Sequence, residues 1–131
     1  MSALGLWAEN SVVNYLLRGV TPTVPSAWYI ALYTSNPTYL DVGTEVSFTG
    51  GSNYSRMPIT FGAPSGGSVS NTGEVDFPIA GQIWGNITYA AIRDDPTTGH
   101  LLFYGALVVP RYIGQGDQLK FLVGNIVCMV S

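Results

Sequence analysis

Charge is what this sequence has least of. Asp, Glu, Lys and Arg together make up 10% of the 131 residues, far below the usual quarter. Ser, Thr, Asn, Gly and Tyr must therefore cover the surface. That suits a chain largely hidden by partners, or a β-rich extracellular module. Lys and Arg number only five, at a net charge of −3, and they form no cluster. Binding to nucleic acid through phosphates is excluded by that scarcity. Cysteine occurs once, as Cys128 inside an apolar run. It reads as a small buried hydrophobe, and without a second cysteine the chain's stability must come from packing. No apolar run approaches the ~20 residues of a membrane span, so no membrane partner is expected. The chain does not open on a basic stretch followed by an apolar one and a cleavage site, so no signal peptide is expected.

What the sequence has in quantity is strand text. Ile87–Ile92 and Leu101–Leu107 are rich in β-branched and aromatic residues. Between them Asp94, Asp95, Pro96, Thr97, Thr98 and Gly99 supply turn chemistry. This predicts a β-hairpin with a longer loop, lying in the middle of the core. Further strands are expected at Ala27–Thr34, Glu45–Phe48, Tyr54–Phe61, Ser68–Ser70, Glu74–Phe77, Gln118–Leu122 and Ile126–Val130. Pro58 interrupts one of them and should make it short, bulged or an edge. The only helix is expected over Ser2–Arg18, with Leu4, Ala8, Val12, Tyr15 and Leu16 at helical spacing. Ser2 would cap its start and Gly19 its end. Leu6, Trp7, Val13 and Leu17 add apolar surface beyond that stripe. The helix therefore either plugs one end of its own β-domain or docks on a neighbouring subunit. The turn spacing predicts an all-β fold, a single β-sandwich or jelly-roll-like domain over residues 1–131 with about eight strands. Its N-terminal helix would occupy 1–19 and its β-domain 20–131.

Chemistry finds little purchase in this text. The one histidine, His100, stands beside Gly99 at the hairpin tip and reads as an exposed turn residue. No Gly-x-Ser-x-Gly elbow lies between a strand and a helix, so a nucleophilic triad is not expected. Asp94 with Asp95, or Glu74 with Asp76 on one strand face, could pair as glycosidase carboxylates. Turn aspartates more often bond to backbone amides, and Arg93 or Arg56 would neutralise the second pair. There is no zinc-type Cys/His cluster, and Asp41–Glu45 lacks the ligand count of a calcium loop. No glycine-rich phosphate loop precedes a helix. No catalytic residue, metal or cofactor is expected. Aromatic anchors remain: Tyr39 and Tyr54 sit in or beside loops, and exposed aromatics there, with Tyr112, suit protein or sugar contacts.

Several stretches together resemble a known family. They are Trp28-Tyr29-Ile30-Ala31-Leu32-Tyr33-Thr34, then Asn36-Pro37, Gly43-Thr44-Glu45-Val46-Ser47 and Tyr54-Ser55-Arg56. Thr60-Phe61-Gly62-Ala63-Pro64-Ser65-Gly66-Gly67 follows, then Phe77-Pro78 and Trp84-Gly85. Leu101-Leu102-Phe103-Tyr104-Gly105-Ala106-Leu107 and Gly116-Asp117-Gln118-Leu119 complete the set, and the helix ending in Leu17-Arg18-Gly19 precedes it. In that order they resemble small tailed-bacteriophage virion proteins, often labelled tail-fibre proteins. Where that family has Gly-Gly-Ser/Gly-Tyr before its arginine, Ser52-Asn53-Tyr54 follows Gly50-Gly51 here, a slightly longer loop. The resemblance implies a virion structural protein without catalytic residues, whose partners are phage capsid or tail proteins and, as a homotrimer, itself. A compact domain of this length has a radius of gyration of about 14 Å, and the chain shows no heptads or β-helix repeat. On that ground capsid decoration or cement is the first expectation. The alternatives are a tail-fibre or baseplate component touching the host surface and a glycan-binding or glycan-cleaving module. Leu6, Trp7, Val13, Tyr39, Tyr54 and Tyr112 are the candidate interface residues.

Overall fold

A computed structural model describes residues 3–130. Ser2, the expected helix cap, lies outside the described residues. In chain order the elements are β1 (Ala3–Leu4), α1 (Leu6–Arg18), β2 (Tyr29–Tyr33), β3 (Met57–Pro58), β4 (Ser68–Ser70) and β5 (Val75–Asp76). Then come β6 (Gly85–Arg93), β7 (Leu101–Ile113), β8 (Lys120–Phe121) and β9 (Val127–Met129). The fold is all-β with one helix, as expected. The helix starts four residues later than the periodicity suggests. Ala3 and Leu4 pair instead with Tyr104 and Phe103, and Gly5 takes the N-cap position.

The predicted hairpin is the spine. A five-stranded antiparallel sheet runs β1-β7-β6-β2-β3. Pro58 sits in the outermost strand, where its missing N–H costs no ladder bond. Two ribbons, β4-β9 and β5-β8, pack over one face in place of a continuous second sheet. Glu45–Phe48, expected as a short edge strand, contributes a single bridge from Glu45 to Tyr33.

The long hairpin is not a regular ladder. Ile87 pairs with Arg111 but Tyr89 pairs with Ala106, so β6 advances two residues while β7 advances five. The surplus falls on Leu107–Pro110, which bow out of the sheet, and Val108 is 99% exposed. Nearer the tip, Ile92 pairs with Phe103 and Arg93 with Leu101. Leu102 is thereby the extra residue of a bulge, and its carbonyl is free to accept the Gly5 N–H at 3.1 Å.

The core lies between the sheet and the ribbons. Ile30, Leu32, Ile87 and Ile92 face Val75, Phe77, Leu119 and Cys128. Phe77 is at its centre: it stacks with Tyr54 at 6.3 Å between centroids and meets Trp84 and Phe121 edge-on at 6.4 and 6.2 Å. The polar tips of these rings are satisfied. The Trp84 indole N–H donates to the Ser52 carbonyl at 2.8 Å, and the Tyr54 hydroxyl donates to Glu45 Oε2 at 2.6 Å. Tyr54 was expected near the surface; it is buried, because its hydroxyl also accepts the Leu32 N–H at 2.9 Å. Burial, with Glu45 alongside, pushes its phenol far above the ordinary range, so it stays a donor. Buried Asn71 plays the same part for the ribbons, donating to the Gly73 and Leu122 carbonyls and accepting the Ile126 N–H.

Truncating Phe77 to Ala should therefore cost about 3–5 kcal/mol, read as a lowered urea midpoint at unchanged slope. A loss under about 1 kcal/mol would mean the ribbons are not packed on the sheet as described.

Candidate functional site

Two buried arginines hold the hairpin tip in place. Arg93 lies at the end of β6 and grips Asp41 with both outer nitrogens, at 2.7 and 2.9 Å. It also donates to the Tyr33 hydroxyl and to the Gly99 carbonyl. Arg56 forms the matching fork on Glu45 at 2.9 and 2.7 Å and donates to the Asp95 and Thr98 carbonyls. Burial alone would lower the pKa of Arg93, but Asp41 and Tyr33 raise it further, so it remains a cation. Neither arginine neutralises Glu74 and Asp76, as the sequence had suggested. Those two stand together at the surface, and the hydrogen bond and repulsion between them raise the pKa of Glu74. Asp41 and Glu45, considered above as oxygen donors to calcium, are taken up by the two arginines. Among the described residues no group of three or more His, Cys, Asp or Glu side chains is placed to hold a metal ion.

The tip in turn receives the helix. Asp94 Oδ1 accepts the His100 N–H at 2.6 Å, and its Oδ2 meets His100 Nδ1 at 2.9 Å. Burial would raise Asp94, but these bonds and the charge of His100 outweigh it and hold its carboxyl low. The imidazole so fixed stacks on Trp7 at 4.0 Å and 11°. The Leu6 N–H donates to the Tyr39 carbonyl at 2.8 Å, and a Cβ on Gly5 would run into the Leu101 carbonyl. The first turns of α1 are thus pinned, and Ala8 is the helix residue that becomes buried. Beyond them the helix carries Val13, Leu16 and Leu17 at 53%, 69% and 79% exposure. It ends in a left-handed Gly19 whose cap returns the Val20 N–H to the Asn14 carbonyl. An i, i+3, i+4 apolar stripe is the face a helix ordinarily buries; here it points away from the chain's own core.

A second apolar surface lies on the other side of β7. A groove of about 530 Å³ runs between the β6–β7 face and the β8 and β9 ribbons. Core side chains line it, including Ile30, Ile92, Leu119 and Cys128, and Val108 stands at its mouth. Burial pushes the Cys128 thiol up to about 11, which leaves it protonated and unreactive.

A family model described as Podophage GP4 fiber I protein gp80 matches residues 3–129. The chain belongs to that family. No curated protein matches it. This fibre protein is a structural component of the phage virion, and its prominent surfaces are apolar.

The six sequence candidates do not form one patch. Leu6 and Tyr39 border a small cavity of about 190 Å³ with Trp7 and His100. Trp7 turns one ring face to His100 and packs against the core, half-buried. Val13 is exposed on the helix, Tyr112 is exposed on distal β7 and Tyr54 is interior. Leu16 and Tyr15, expected on the inner stripe with Ala8, are exposed. The helix docks only through its first turns, so its C-terminal half has nothing of its own chain to cover. The available signal was the apolar content all round this helix, which exceeds what one docked face uses.

Two outcomes follow for the tip. The amides of Thr97 and Thr98 hold Asp95 at about 2, below its usual 3.8. A carboxylate depressed in this way adds stability above about pH 4 and loses it as pH falls toward about 2. Asp95→Asn should flatten that part of the acid-unfolding curve, and an unchanged curve would remove Asp95 from the account. Trp7→Ala should lose the stacked pair, about 0.5–1.5 kcal/mol, and speed amide exchange in the first turn of α1 while β6 stays protected. Equal exchange in Trp7→Ala and the native chain would mean that His100 does not hold the helix.

Proposed function

We propose that this chain is a non-enzymatic tail-fibre component that assembles with copies of itself and with neighbouring phage proteins through exposed apolar surfaces. The observation that carries this reading is the outward stripe of Val13, Leu16 and Leu17 on a helix anchored at its other end. Three large aliphatic side chains in a row have no reason to face water on a sparsely charged protein unless another surface covers them. The description of the matched family favours a fibre over capsid decoration or cement. The homotrimer implied by the resemblance fits a subunit that presents such a surface, and three copies around one axis would repeat each contact and multiply its effect.

The charged side chains support a non-catalytic role. Asp41, Glu45, Asp94 and Asp95 are engaged by arginines, by His100 or by backbone amides. Among the described residues no hydroxyl or thiol hydrogen-bonds His100, so the Asp94–His100 pair has no nucleophile to activate. Its work is to hold a ring under Trp7.

Antibody against the purified chain should label the tail fibres of intact virions in electron micrographs; label over the head would return the protein to capsid decoration. Leu16→Asp combined with Leu17→Asp should leave the thermal midpoint of the isolated chain within a few degrees, since both side chains are already exposed. The same pair should abolish incorporation into virions grown with the variant gene. Normal incorporation would exclude the helix stripe as the docking surface.

A further inference from the structure

Two surfaces of this subunit are left without a partner, and they have opposite shapes. One is convex, the stripe of Val13, Leu16 and Leu17. The other is concave, the groove between β6–β7 and the β8 and β9 ribbons. We propose that they fit each other between copies: α1 of one subunit seats its stripe in the groove of the next. The contact is head-to-tail, and it closes into a ring when the rotation between subunits allows. This rests on the fibre reading and names the surfaces that reading uses.

The chain's area supports a missing partner. A compact monomer of 14.0 kDa should expose about 6,700 Å², whereas this chain exposes 7357 Å². The surplus, about 650 Å², approaches the ~800 Å² that each side contributes to a standard interface. The lining of the groove selects the kind of occupant. A small polar ligand would leave most of this lining uncovered, since aliphatic and aromatic side chains dominate it. Aliphatic side chains from a helix match it. The bowed segment of β7 shapes the entrance, since the residues surplus to the ladder place Val108 there, fully exposed.

Charge sets the direction. The groove is lined by two cations, Arg111 and Lys120, and by no acid. Among the described residues Arg111 has no ion-pair partner. The helix carries its acid, Glu9, in the first turn, and its base, Arg18, in the last, where Asn14 already engages it. Seating the helix with its Glu9 end toward Arg111 brings opposite charges together at the rim and leaves the apolar stripe over the groove.

Size-exclusion chromatography with light scattering tests this with two single variants and their mixture. Leu17→Asp spoils only the helix, and Val108→Asp spoils only the mouth of the groove. The native chain should assemble, and each variant alone should run as a 14.0 kDa monomer at concentrations where the native chain does not. An equal mixture should give a species of two chains and nothing larger, because each variant still owns one good surface. If Val108→Asp assembles like the native chain while Leu17→Asp does not, the groove is not the receptor, although the helix reading survives. If the mixture stays monomeric, the two surfaces do not meet. A native chain that is monomeric throughout overturns the proposal, while antibody label on the fibres would still leave the fibre reading standing. Should Val108→Asp fail to fold, as judged by circular dichroism, Leu17→Cys and Val108→Cys chains are mixed under mild oxidation instead. A covalent heterodimer supports the contact, and its absence overturns it.

Discussion

Two buried guanidinium groups organise this protein. Arg56 and Arg93 each bind one carboxylate through a fork of two bonds and then reach the carbonyls of the same six-residue turn. A loop rich in Asp, Thr and Gly has no apolar content of its own and would otherwise sample many conformations. The arginines replace that missing packing with charge-assisted hydrogen bonds, which are shorter and stronger than neutral ones. Everything outward of the tip inherits its position from them. His100 is placed by Asp94, Trp7 by His100, and the axis of α1 by Trp7 together with the close approach of Gly5 to Leu101. Six of the thirteen charged side chains gather here, each partnered, and the two arginines among them are buried.

The second organising fact is that the sandwich is half built. One face of the main sheet is covered by two separate ribbons, joined to the rest through Asn71, the Phe77 ring cluster and the turn at Gly114–Asp117. Such a layer holds a core at its middle and leaves it open at the β7 side. The helix does not close that opening, because its anchor at the hairpin tip sends it elsewhere. A subunit with an open core and an apolar helix is incomplete in a way that assembly can remedy, and this accounts for a surface both poor in charge and larger than its mass requires.

The hairpin, the helix, the short strands at Ser68 and Val75 and the peripheral place of Pro58 were all readable from local composition and alternation. These features depend on neighbours in the chain. Tyr54 was misplaced because its burial depends on Glu45 and on the Leu32 amide, partners that no periodicity announces. The arginine forks were missed for the same reason: Asp41 and Arg93 are far apart in sequence and meet only once β2 and β6 have paired. Helical spacing identified α1 and the side that carries Ala8, but not that cover ends after the first turns and leaves Tyr15 and Leu16 exposed, since spacing reports which residues share a side and not how far along it a partner reaches. Of the candidate interface, Val13 and Tyr112 lie where a partner could reach them and Tyr54 does not. The groove left no trace in the sequence, because it is a gap between elements distant along the chain.

The bowed segment of β7 has one more consequence, for solubility. Among the described residues distal β7 has β6 on one side and no strand on the other, and it carries valines that favour strand pairing. A straight strand of that kind would template the next copy, then the next, into a stack without end. The surplus residues at Leu107–Pro110 break the regular spacing of N–H and C=O groups along that edge, and Pro110 removes a donor outright. The subunit can thus keep an apolar flank without polymerising through it.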